Sequence, residues 1–121
     1  MCALISGDGC ISQLNGVRMS PVKTDPKGVV NQDTVFTFSM EDGIVTADYR
    51  GGSVLRGYLI GRCSGSSMEF SYCQMNDTGN VAGGRSHAEL ALMPDGRLRM
   101  VEHFTFDDGR KGVNIIEQRT D

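Results

Sequence analysis

The chain has 121 residues, the length of a single domain. Twelve Lys and Arg residues against fifteen Asp and Glu residues give a net charge of −3, which argues against nucleic acid or an anionic membrane as partner. The hydrophobic fraction of 39% is typical of a chain that buries a core, and no run approaches the ~18 apolar residues of a membrane-spanning helix.

The N-terminal segment, residues 1–13, has neither a basic start nor a long apolar stretch, so it does not resemble a secretory signal. We predict an irregular segment there, with a short extra strand at Ala3–Ser6. The cysteines form no C-x-x-C pair and have no metal-ligand spacing with the two histidines. We therefore predict a cytoplasmic protein with four reduced thiols and without metal or cofactor. The cysteines are Cys2, Cys10, Cys63 and Cys73.

Strand-like runs and turn sequences alternate along most of the chain. Leu14–Met19 is the first predicted strand, and Ser20–Asp33, with two prolines, is predicted to be a long loop. Seven further runs are separated by glycine-rich turn sequences such as E-D-G and P-D-G. They are Thr34–Met40, Ile44–Arg50, Ser53–Arg62, Met68–Asn76, Val81–Met93, Arg97–Phe106 and Val113–Thr120. About eight antiparallel strands without a substantial helix predict one all-β domain over residues 1–121, an up-and-down β-barrel.

Turn chemistry predicts which side chains face the interior. As a two-residue loop, Asp42-Gly43 places the apolar residues of its two strands on one face. The predicted pairs are Met40–Val45, Phe38–Ala47 and Phe36–Tyr49. The three-residue turn at residues 94–96 likewise places the apolar residues of Val81–Met93 and Arg97–Phe106 on one face. Its predicted pairs are Leu92–Leu98, Leu90–Met100 and Ala88–Glu102.

The stretch Thr34–Gly61 resembles a family of small bacterial β-barrel proteins of unknown function, as do the motifs that follow it. Those motifs are YCQMN at Tyr72–Asn76, ELALMPDGRLRMVEHFTF at Glu89–Phe106 and GVNIIEQ at Gly112–Gln118. The resemblance implies a calycin-like fold, similar to lipocalins and fatty-acid-binding proteins. Family members are often labelled N-acetylglutamate synthase, which implies acetyltransferase activity as an alternative function. The usual α/β acetyltransferase holds acetyl-CoA at a helix N-terminus, which the strand pattern does not predict.

Polar side chains on the predicted inner face are the candidate ligand-binding residues. Glu102 alternates with apolar neighbours, so its carboxyl group needs a partner, a proton or a ligand. With a six-residue loop at residues 107–112, Glu117 lies opposite Glu102, and the two carboxyl groups share one space. Tyr49, Tyr72 and Gln74 add polar groups to the same interior.

Arg56 is the remaining candidate, and its orientation depends on the preceding turn. If Gly51-Gly52 is a two-residue loop, Tyr49 pairs with Val54 and Arg56 points inward, where it could neutralise the carboxylates. If the loop takes three residues, Arg56 is solvated and glycines point inward, which would open space for a ligand. The sequence leaves both alternatives open.

His87, Glu89 and His103 form a second cluster, with the two histidines opposite each other. Because this face also carries arginines, a solvated outer surface is favoured over a metal site. We therefore expect an intracellular barrel, leaning towards no enzyme activity, that binds a small molecule in its interior. A filled structural or interaction barrel is the further alternative, and the expected state is a monomer or homodimer. No catalytic residue is predicted.

Overall fold

In a computed structural model, which describes residues 12–26 and 28–121, eight strands form a closed antiparallel barrel. Each strand pairs with its neighbours in sequence, and the last closes on the first, as the up-and-down prediction requires. The strands are β1 (Arg18–Lys23), β2 (Val35–Glu41), β3 (Ile44–Gly51), β4 (Val54–Ser64), β5 (Ser67–Asn76), β6 (Val81–Leu92), β7 (Leu98–Phe106) and β8 (Lys111–Gln118).

The start of the barrel differs from the prediction. Leu14 is not in a strand, because a 3₁₀ turn at Ser12–Leu14 and Gly16, at φ 83°, place the chain across one end of the barrel. Leu14 is fully buried there and fills that end of the barrel, which we call the plugged end. The first strand extends to Lys23, which shortens the predicted loop to residues 24–34. The expected strand Ala3–Ser6 lies outside the described residues.

Both hairpin registers derived from turn chemistry are confirmed. Phe36 pairs with Tyr49, and Ala88 pairs with Glu102. Asp42 and Gly43 have φ values of 53° and 77°, the left-handed pair of a type I′ turn. This turn chemistry therefore determines the inner face of β2 and β3.

Replacement of Gly43 by valine is expected to lower the free energy of unfolding by about 1 kcal/mol or more, because a β-branched residue is strained at positive φ. Urea denaturation measures the change. The control is Ser39→Val, an exposed position of β2 with an unstrained backbone. Equal stabilities of the two variants would contradict the type I′ assignment.

The interior has an apolar half and a polar half. The plugged end packs aliphatic side chains around Leu14, among them Leu98, Met100 and Met68. The other end, which we call the mouth, lies beneath the loop of residues 24–34 and contains most of the buried polar side chains. Candidate binding residues are therefore confined to the mouth.

The cysteines depart from the prediction. Cys63 is disulfide-bonded and Cys73 is a free, exposed cysteine, so the prediction of four reduced thiols is wrong. Sequence spacing did not reveal this bond, because a disulfide requires only that two side chains meet in space. Reduced cysteines therefore no longer support the cytoplasmic location, which stays a prediction. Within the part of the chain described, no helix is long and apolar enough to cross a membrane.

Candidate functional site

A cavity of about 20 Å³ lies inside the mouth, which is room for about one water molecule. Aromatic rings from four strands form most of its wall, and residues 28–30 cover it from above. Five polar side chains also line this mouth cavity. They are Tyr49, Tyr72, Gln74, Glu102 and Asn114.

Glu102 is buried on the inner face of β7, as its alternation predicts. The Ser86 hydroxyl donates to Oε2 of Glu102 at 2.6 Å, and the Asn114 amide donates to Oε1 at 3.1 Å. Burial raises the pKa of the Glu102 carboxyl, and these two hydrogen bonds, followed by the charge of His103, only partly oppose that rise. The carboxyl group therefore accepts its hydrogen bonds from two neutral donors, and among the described residues it forms no ion pair.

The predicted contact between Glu102 and Glu117 is wrong. The Phe106 N–H donates to the Arg110 carbonyl at 2.8 Å, which closes a three-residue loop at residues 107–109, three residues shorter than expected. Consequently Asn114 lies opposite Glu102. Glu117 pairs instead with Arg99, with 4.0 Å between the Arg Nε and Glu Oε2 atoms, and does not line the cavity.

Tyr49 and Gln74 form a buried pair in the mouth. The Tyr49 hydroxyl donates to Oε1 of Gln74 at 2.8 Å. Burial first, and then the charge of Glu102, raise the pKa of Tyr49 well above its ordinary value. The Tyr49 hydroxyl therefore remains a neutral donor.

Tyr72 differs from Tyr49, because its buried hydroxyl has no hydrogen-bond partner in the part of the chain that the structure describes. Its ring packs edge-to-face on Phe106, with 5.7 Å between the ring centroids. Burial, followed by the charge of Glu102, raises the pKa of Tyr72. A buried hydroxyl without a partner is costly, so Tyr72 presents an unused hydrogen-bonding group beside the cavity.

Glycines lie opposite the aromatic residues of the mouth on neighbouring strands. A Cβ atom at any of these glycines would collide with the partner ring or with its backbone. The pairs are Tyr49–Gly57, Phe70–Gly61, Tyr72–Gly84 and Phe104–Gly112. In one of the two predicted alternatives, inward glycines of β4 would open space for a ligand, but aromatic rings occupy that space.

A family model described as avidin-like protein matches residues 12–119. The chain belongs to the avidin-like family. The matched range extends from the 3₁₀ turn to just beyond β8 and includes all the residues that line the mouth cavity. No curated protein and no solved structure matches the chain. The narrower resemblance, with its bacterial origin and its N-acetylglutamate synthase label, stays a prediction.

In this avidin-like barrel, Arg56 is exposed and does not line the mouth cavity. The turn is a two-residue loop at residues 52 and 53, and a β-bulge follows in β4, which has one extra residue between Val54 and Gly57. The bulge lets Val54 and Gly57 both face inward. Tyr49 pairs with Gly57 and not with Val54, so the alternative with an inward Arg56 is wrong. Arg56 therefore cannot neutralise Glu102.

The cover of the avidin-like barrel is attached to the buried network through Asn114. The Asp25 backbone N–H donates to Oδ1 of Asn114 at 3.2 Å, while the same amide donates to Glu102. Gly28 packs on the ring of Phe104, which leaves no room for a larger residue without displacement. Sequence reasoning missed Asn114 and Ser86, although the corrected register alone places Asn114 opposite Glu102.

The histidine cluster lies on the outer face, as predicted. His87 and His103 face each other with 6.3 Å between ring centroids, and His87 Nε2 is 3.5 Å from Glu89 Oε2. Both members of that ion pair are about half exposed. Across residues 12–26 and 28–121, no three His, Cys, Asp or Glu side chains come together in a group that could hold a metal ion.

Proposed function

We propose that this avidin-like barrel binds a small molecule in the mouth cavity. The Tyr72 hydroxyl beside the cavity carries the proposal, because it has no hydrogen-bond partner among the described residues and a ligand would supply one. The lining combines aromatic rings with a few polar groups, which is typical of small-molecule sites. Avidin-like barrels bind small molecules such as biotin, so biotin is the first compound to test.

A ligand would have to displace the cover, since about 20 Å³ holds only one water molecule. Residues 28–30 belong to a loop and not to the barrel sheet, so their displacement breaks no strand pairing. The ligand would then occupy the space of Val29 and Val30 over the aromatic rings. The acetyltransferase alternative stays a prediction. The usual α/β acetyltransferase holds acetyl-CoA at a helix N-terminus, whereas residues 12–26 and 28–121 contain no helix longer than three residues.

Thermal-shift screening followed by calorimetry tests the proposal, with biotin first and then a metabolite set that includes acetyl-CoA and glutamate. A bound compound is expected to raise Tm, and Tyr72→Phe is expected to weaken its binding about 3- to 10-fold through loss of one hydrogen bond. Tyr58→Phe is the matched control, because that hydroxyl lies on the exposed outer face of β4. It should leave affinity unchanged.

The opposite result would favour a filled structural barrel. In that case no compound raises Tm at millimolar concentration, and Tyr72→Phe is at least as stable as the wild type because it removes an unsatisfied buried group. A compound whose binding is insensitive to Tyr72→Phe would also contradict the mouth cavity as its site.

A further inference from the structure

The charges around the mouth cavity are unbalanced. Of its described lining residues, Glu102 is the one that carries a formal charge when ionised, and none is Lys, Arg or His. Arg56, which only one of the two predicted alternatives placed inside, is on the exposed face of β4. Buried charges in proteins are normally paired, so the cavity lacks the positive charge that an ionised Glu102 requires.

Glu102 also retains hydrogen-bonding capacity. Its two oxygens accept one bond each, from Ser86 and Asn114, whereas an ionised carboxylate has about four acceptor positions. A planar amidinium or guanidinium group has parallel N–H donors that match a carboxylate. Such a group can therefore bind Glu102 without displacing Ser86 or Asn114.

The aromatic wall suits the same kind of ligand. Planar cations are attracted to the faces of aromatic rings. The ring of Phe106, which lines the cavity, already carries the Arg110 guanidinium 4.3 Å from its centroid. The ring of Phe104, which packs edge-to-face on Phe106, and the ring of Phe36 also line the cavity and can contact a planar group.

We infer that the mouth cavity selects small planar cations of the amidine or guanidine class, with Glu102 as the charge partner, and rejects carboxylates of the same size. This inference rests on the proposed function, since it names the ligand class of the same site. The Tyr72 hydroxyl provides a further hydrogen bond to the bound group.

Three compounds with one ring and different charges test the inference, namely benzamidine, benzamide and benzoate. They are cationic, neutral and anionic at pH 7, and calorimetry with the wild-type protein measures their dissociation constants. Benzamidine is expected to bind at least tenfold more tightly than benzamide, with no binding of benzoate at ~10 mM. Glu102→Gln is expected to lower the affinity for benzamidine to that for benzamide. Glu117→Gln, the same change outside the cavity, should preserve the preference.

Benzoate binding as tightly as benzamidine, or an unchanged preference in Glu102→Gln, would overturn the inference. So would the absence of benzamidine binding. In each of these cases, the proposed function stands if biotin or another compound binds and Tyr72→Phe weakens that binding. Only the inferred ligand class is then wrong. If neither the three compounds nor the larger set binds, both fail. Should Glu102→Gln not fold, the wild-type ranking decides alone.

Discussion

Gly57→Val is expected to lower the free energy of unfolding by about 2–3 kcal/mol. A Cβ atom at this position would collide with the ring of Tyr49 on the neighbouring strand, so the ring or the strand must move. Movement of the ring also breaks the buried bond from the Tyr49 hydroxyl to Gln74. Urea denaturation of the purified variant and wild type measures the loss.

Arg56→Val is the matched control, because the neighbouring side chain is exposed and should tolerate the change within about 0.5 kcal/mol. A double-mutant cycle with Tyr49→Ala separates steric overlap from a general effect on β4. Gly57→Val should cost less stability in the Tyr49→Ala background, since the ring is then absent. Equal costs in both backgrounds would contradict the proposed pairing of glycine and ring.

Wild type is expected to lose stability relative to Glu102→Gln as pH rises from about the ordinary Glu pKa of 4.5. Burial raises the pKa of Glu102 in the folded protein, so between the two pKa values the unfolded chain releases a proton that the folded protein retains. The relative loss stops above the folded pKa. Denaturation of both proteins at several pH values measures the difference.

Gln is a suitable replacement because Ser86 can accept as well as donate a hydrogen bond, so the new amide keeps both partners. Below pH 4 the two proteins should therefore have similar stability. Glu117→Gln provides the control, since that carboxyl group is outside the cavity beside Arg99. A difference that is independent of pH, or a wild type that gains on Glu102→Gln as pH rises, would show that Glu102 ionises without cost.

Strand registers were predictable where the residues of a turn specify its type. Asp42-Gly43 requires positive φ at both positions, which specified the pairing of Phe36 with Tyr49. The loop after β7 was predicted to have six residues, but it turns at residues 107–109, so its predicted length was wrong by three residues. That error replaced Asn114 by Glu117 opposite Glu102, because register is transmitted to every residue of a strand.

The role of the strand glycines was not predictable from the sequence. A glycine in a strand indicates close approach of another group, but the group approaching it comes from the neighbouring strand. At Gly57 that group is the ring of Tyr49, and at Gly84 it is the Thr105 backbone together with the hydroxyl of Tyr72. Both tyrosines, predicted as ligand contacts, therefore fill space inside the barrel. Local sequence therefore suggested a hollow interior where packing produced a small cavity.

By itself, the sequence determined the number of strands, the up-and-down order and the inward position of Glu102, because alternation and turn chemistry act over a few residues. The tertiary structure decided the partners of Glu102, the bulge that turns Arg56 outward, the disulfide bond of Cys63 and the cover at residues 28–30. The partners of Glu102 and the position of the cover depend on contacts between separate segments, such as Asp25 with Asn114, and local patterns do not encode which segments meet.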